Sequence, residues 1–146
     1  MTEIQEQVKA QLTTIITETS LSEDFYEMVL LRLKSLGYTL ELTDAWSIAF
    51  AIQKSENHYK NFCHISEIPE GLLHNLCERV CGEFLKAKYA TGTLSMDSIE
   101  KAIKSVSMGD TSITFNGDTE LDFATLLESM ISGEDGDLIC YRRIKW

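Results

Sequence analysis

From the N-terminus to Gly92 the apolar residues recur at three- and four-residue steps, the spacing of helices that each bury one face. Ile4, Val8, Leu12, Ile15 and Ile16 mark a first helix, opened by a capping box between Thr2 and Gln5. Phe25, Met28, Val29 and Leu36 mark a second, with Ser20 and Glu23 as its capping pair and Gly37 as the residue that ends it. Tyr38 to Leu42 reads as a short extended linker. Thr43 or Asp44 then caps a third helix that carries Trp46, Ile48, Ala49, Phe50 and Ile52 and runs to about Phe62. Pro69 sets the next boundary, because proline suits a first helical turn and disfavours helix just before it. The clearest stripe follows: Leu73, Leu76, Cys77, Val80, Cys81 and Phe84, in a helix from about Glu70 to Thr91 that Gly92 stops.

Beyond Gly92 the pattern changes. Ile99, Ala102, Ile103 and Val106 suit a short helix, whereas Thr111 to Phe115 alternates in the manner of a strand ended by Asn116-Gly117. Asp118 or Thr119 caps a further amphipathic helix with Leu121, Leu127, Met130 and Ile131. After a turn from Gly133 to Asp137, residues Leu138 to Trp146 read as extended. The predicted fold is mainly α and a single domain: a bundle of about four helices over residues 1–92, then a helix and strand extension with an extended C-terminal arm over 93–146.

Composition narrows the function. With 44% hydrophobic and 25% charged residues and one proline, the chain has the makings of a folded core rather than of a disordered segment. The opening residues show no basic-then-apolar leader and the longest apolar run is too short to span a bilayer, so a soluble protein synthesised in a cytoplasm and not bound to membrane is expected. Acids outnumber bases 23 to 13, which disfavours a grip on nucleic acid. The acids also cluster: Asp110, Asp118, Glu120, Asp122, Glu128, Glu134, Asp135 and Asp137 follow one another with no intervening base, and Arg142, Arg143 and Lys145 then close the chain. A solvated acidic face is the plain consequence.

Chemistry is sparse. His74, Cys77 and Cys81 share a helical face at a spacing that could hold zinc, but both cysteines fall within the apolar stripe and core packing accounts for them. The four cysteines form no CxxC pair and read as reduced thiols. The acidic turn at Glu134 to Asp137 lacks the alternating ligands of a calcium loop. No nucleophile elbow or metalloprotease motif occurs, so neither an enzyme nor a cofactor is expected. The ending is unusual for a terminus: Ile139, Tyr141, Arg142, Arg143, Ile144 and Trp146 are the residue types of an interface, or of a last strand tucked against its own domain.

Four stretches carry a family resemblance: Ile68-Pro69-Glu70-Gly71-Leu72-Leu73, Arg79-Val80-Cys81-Gly82-Glu83-Phe84-Leu85, Gly109-Asp110-Thr111-Ser112-Ile113-Thr114-Phe115, and the closing Tyr141-Arg142-Arg143-Ile144-Lys145-Trp146. Together they resemble the head–tail adaptor (connector) proteins encoded in the head-completion clusters of tailed phages of Gram-positive bacteria. The resemblance covers the second half of the chain, and the first half only by helical pattern. It implies a virion protein of the neck with a helical bundle core. Such proteins assemble as a ring, twelve-fold like the portal above it, and extend the DNA channel toward the stopper or tail-completion protein. Mapped onto this sequence, Leu138 to Trp146 becomes a portal-docking arm, in which Ile139, Tyr141, Arg142, Arg143, Ile144 and Trp146 meet the portal or a neighbouring subunit. Thr111, Ile113 and Phe115 become a channel-side or inter-subunit strand. Asp110, Asp118, Glu120, Asp122, Glu134, Asp135 and Asp137 become a candidate acidic face, from which an acidic lumen would let DNA slide without specific binding. The competing expectations are a small helical regulator that binds one protein partner, and a metal protein or enzyme built on His74, Cys77 and Cys81.

Overall fold

The computed structural model describes residues 2–109, 117–132, 138–139 and 141. Among them the regular structure is all helical, with no strand; the strand expected at Thr111 to Phe115 lies outside the described residues. The helices are α1 (Glu3–Ile15), α2 (Glu23–Ser35), α3 (Ala45–Cys63), α4 (Leu73–Ala90), α5 (Met96–Gly109) and α6 (Thr119–Ser132). Short 3-10 turns at Leu42–Asp44 and Glu70–Leu72 lead into α3 and α4.

The ends of these helices follow local chemistry. The capping box of α1 forms as the sequence predicts: the Thr2 hydroxyl accepts from the Gln5 N–H at 3.3 Å, and the Gln5 side chain accepts from the Thr2 N–H at 3.0 Å. Helix α2 starts later than expected, after Ser22 rather than Ser20. The cause is Thr19, whose hydroxyl donates to Glu56 at 2.8 Å and accepts from the Leu21 N–H at 3.0 Å, holding the intervening chain out of the helix. Gly37, at φ +84, ends α2 in the left-handed conformation: its N–H reaches Lys34 O, and the Tyr38 N–H reaches back to Leu33 O. Gly92 closes α4 with the same pair of bonds, to Tyr89 O and from Thr93 to Lys88 O.

Helix α4 is central, packing against α2, α3 and α6, while α1 lies on α2 and α3 and α5 packs on α6. Val8, Leu12, Val29, Leu33, Ile48, Ile52, Leu76, Val80 and Phe84 fill the space between the first four helices. The same core continues into Phe123, Leu126, Leu127 and Met130 of α6. Helices α5 and α6, expected in a protruding extension, are therefore layers of the bundle. Gly82 makes this possible, because α6 passes so close that a Cβ there would stand 2.9 Å from Met130 Cβ.

The described residues of the C-terminal segment also depart from the extended backbone that its alternation predicts. Leu138, Ile139 and Tyr141 have helical backbone, and Leu138 is fully buried beside Cys63, whose thiol donates to Leu138 O at 3.4 Å. One apolar side chain seated in the core outweighs the weak alternation of so short a segment. Among the described residues, no helix is long and apolar enough to cross a membrane.

Candidate interaction surface

The N-terminus of α3 is pinned by a buried carboxylate. Asp44 accepts from the Tyr38 hydroxyl at 2.7 Å, from the Glu41 N–H at 3.0 Å and from Lys88 Nζ at 3.1 Å. It thereby ties the linker after α2, the start of α3 and the end of α4 to one point, with its charge balanced by Lys88. Burial, and then the bond to Asp44, push the Tyr38 phenol above the ordinary tyrosine range, so it is a firm donor. Further along, Glu56 is buried, accepts from Thr19 and pairs with Lys60 at 3.6 Å.

What Asp44 holds in place is an aromatic pair. Trp46 is 72% exposed and Phe50 68% exposed, although both were expected within the apolar stripe of the third helix. They stand one turn apart on the outer face, because Ala45, Ile48, Ala49 and Ile52 already fill the inner one. Leu42, also exposed, lies one turn before Trp46. Beside Trp46 runs a shallow groove of about 370 Å³, formed with Ala10, Gln11, Thr14 and Ile15 of α1. Large aromatics in the open on a rigid helix are a property of surfaces that bind.

A second apolar groove, of about 490 Å³, lies between α4 and α6. Tyr89, Phe123, Ala124, Leu127 and Ile131 line it, with Lys86 and Glu128 also at its wall. The Tyr89 and Phe123 rings tilt against each other at a centroid distance of 5.3 Å.

The residues singled out from sequence are dispersed. In the predicted docking arm, Ile139 is 65% exposed and free to meet a partner. Tyr141 is 38% exposed and rests against its own domain, its hydroxyl covering Gly71 so closely that a Cβ there would overlap it. Arg142, Arg143, Ile144 and Trp146 lie outside the described residues, as do Thr111, Ile113 and Phe115. Of the predicted acidic face, Asp118 and Glu120 are exposed. Asp118 also caps α6, accepting from the Glu120 and Leu121 N–H groups. Asp122 is not part of that face: it is 5% exposed and accepts from the Gly117 N–H at 3.0 Å, which steadies the entry to α6. Asp110, Glu134, Asp135 and Asp137 are outside the described residues.

The zinc-spaced trio divides between core and solvent. His74 is exposed, whereas Cys77 and Cys81 are buried, and the Cys81 thiol faces Val29 O at 3.7 Å. Burial, with Cys77 alongside, pushes the Cys81 thiol well up, away from the thiolate that a metal or a nucleophile requires. Among the described residues no cluster of His, Cys, Asp and Glu is arranged to hold a metal ion. Compared with protein-family models, curated proteins and solved structures, the chain matches none of them.

Proposed function

We propose that this chain is a structural assembly protein of the head–tail adaptor kind: copies of it form a ring beneath the portal of a tailed phage and carry the DNA channel toward the stopper or tail. The observation that carries the assembly reading is the exposed Trp46–Phe50 pair, presented on a helix whose start is fixed by the buried Asp44 network. Such residues in water are costly for a monomer and useful to a protein that is covered in its working state. The phage assignment rests on the resemblance of the stretches from Ile68 to Leu73, from Arg79 to Leu85, from Gly109 to Phe115 and from Tyr141 to Trp146. The net charge of −10 suits a channel wall that must not adhere to DNA.

The test is co-sedimentation of the purified chain with the portal protein from the same head-completion cluster. A stable complex with several chains per portal is expected, together with no retention of free double-stranded DNA near physiological salt. A chain that ignores portal under all salt conditions would return the function to the small helical regulator, which would use the same aromatic pair on one partner protein.

A further inference from the structure

The bundle presents a projecting aromatic pair on one flank and an aromatic-floored groove on another. The two share no lining residue, and the packed helices α3 and α4 stand between them. Their heights along the bundle are linked. The Asp44–Lys88 ion pair at 3.1 Å sets the start of α3 beside the end of α4. Trp46 follows Asp44 by two residues, and Tyr89 follows Lys88 by one, so knob and groove lie at the same level. A knob and a groove at equal height on different flanks is the arrangement that lets a head-to-tail contact close into a ring instead of climbing into a filament.

Charge selects the occupant. A molecule of net charge −10 repels its own copies over most of its surface. Helix α3 is an exception: Glu56 is its sole acid and is buried, so its exposed face from Trp46 to Asn61 has no carboxylate of its own, and its exposed Lys54 pairs with Glu83 of α4 at 3.4 Å. The neighbouring part of α1, from Ala10 to Ile15, has no acid either. At the groove, Lys86 and Glu128 offset each other. These are surfaces on which two acidic copies can touch with little repulsion. The groove is roomy enough for an aromatic side chain, and its exposed Tyr89 ring, steadied by the buried Phe123 behind it, offers an indole an aromatic partner.

We propose that Trp46 and Phe50 of one copy seat in the α4–α6 groove of a second copy of this chain, in a head-to-tail contact that repeats around the ring. This rests on the assembly reading above and names the surfaces that perform it. The contact has two unlike halves, so the halves can be broken separately and then recombined. Trp46→Ala removes the knob and leaves the groove. Ala124→Arg fills the groove and leaves the knob. Both positions are exposed, so the helical circular dichroism of each variant should match the parent.

Sedimentation velocity of the full chain, followed over a concentration series, reads the result. The parent should form multi-copy species. Each variant alone should self-associate at least about 30-fold more weakly, the usual loss for a buried aromatic anchor. Mixed one to one, the two variants should form a two-chain species, because the intact groove of one accepts the intact knob of the other and the remaining ends are dead. Variants that assemble like the parent overturn the proposal, and so does a parent that stays monomeric throughout. If Ala124→Arg assembles normally and only Trp46→Ala fails, the contact is knob to knob and the head-to-tail geometry is wrong. Portal co-sedimentation separates the two levels. Portal binding by a parent whose variants still self-assemble removes this contact alone; the expected variant behaviour in a chain that ignores portal removes the adaptor assignment alone.

Discussion

Asp44 joins three segments through one carboxylate, and Tyr38 is the partner whose contribution can be removed most cleanly. Its ring packs edge-on against Phe84 at 5.3 Å, a contact that phenylalanine would keep, so Tyr38→Phe deletes only the hydroxyl that donates to Asp44. Hydrogen bonds to charged groups contribute about 1.5–3 kcal/mol, and a loss in that range is expected in urea denaturation at neutral pH. The pH dependence follows from the direction of the shift. The folded state holds the Tyr38 proton above the ordinary tyrosine range, chiefly through burial, and burial with Glu56 and Glu23 does the same for Tyr26. Below about pH 10 both folded and unfolded chains keep these protons and stability is unaffected; above it the unfolded chain releases them first, so stability falls as pH rises. Tyr38→Phe should lose stability less steeply than the parent between about pH 9 and about pH 11, and equal slopes would show that Tyr38 does not supply the linkage. None of this was open to a reading of the sequence. Asp44 stands at the boundary where a cap was expected, but its carboxylate turns to Tyr38 and Lys88, whose approach is set by packing and by no spacing along the chain.

Among the elements, α4 and α6 approach each other closely at Gly82. A Cβ there would meet Met130 Cβ at 2.9 Å and Ile131 Cγ1 at 3.0 Å, and Met130 Cβ is fixed to its own helix, so relief requires α6 to shift as a body. Gly82→Ala should gain roughly 1 kcal/mol of helix propensity and lose about 1–3 kcal/mol to overpacking, for a net destabilisation seen as a lower denaturation midpoint. A variant as stable as the parent would mean that the two helices are not held at this distance. Helices α1, α2 and α4 were legible because each carries a stripe with one apolar side. The face of α3 was not: Ala45-Trp46-Ser47-Ile48-Ala49-Phe50-Ala51-Ile52 is apolar nearly all round, so periodicity could not say that Trp46 and Phe50 point outward. The seating of α6 was hidden for the opposite reason. Its partner surface is the second side of α4, and the one local sign of it was a glycine inside a strong helical pattern.

At the scale of the whole molecule the adaptor reading divides the C-terminus into two parts with different duties, and truncation can separate them. Leu138 belongs to the core: it is buried, its carbonyl accepts the Cys63 thiol, and three residues on Tyr141 covers Gly71. The segment 142–146, Arg-Arg-Ile-Lys-Trp, carries the basic and aromatic residues that the adaptor reading assigns to the portal. Deleting 138–146 should therefore cost about 2–5 kcal/mol, the range for emptying a buried leucine site, and lower the thermal midpoint clearly. Deleting only 142–146 should leave helical circular dichroism and the midpoint close to the parent, while co-sedimentation with portal is lost. The shorter deletion is the sharper test, because the folded core remains to report on binding. If it still binds portal like the parent, the arm is not the docking element, and Ile139 with the Trp46 flank becomes the surface to examine. If instead it unfolds the chain, residues 142–146 complete the domain of their own subunit, and the ring must be held by the helical faces alone.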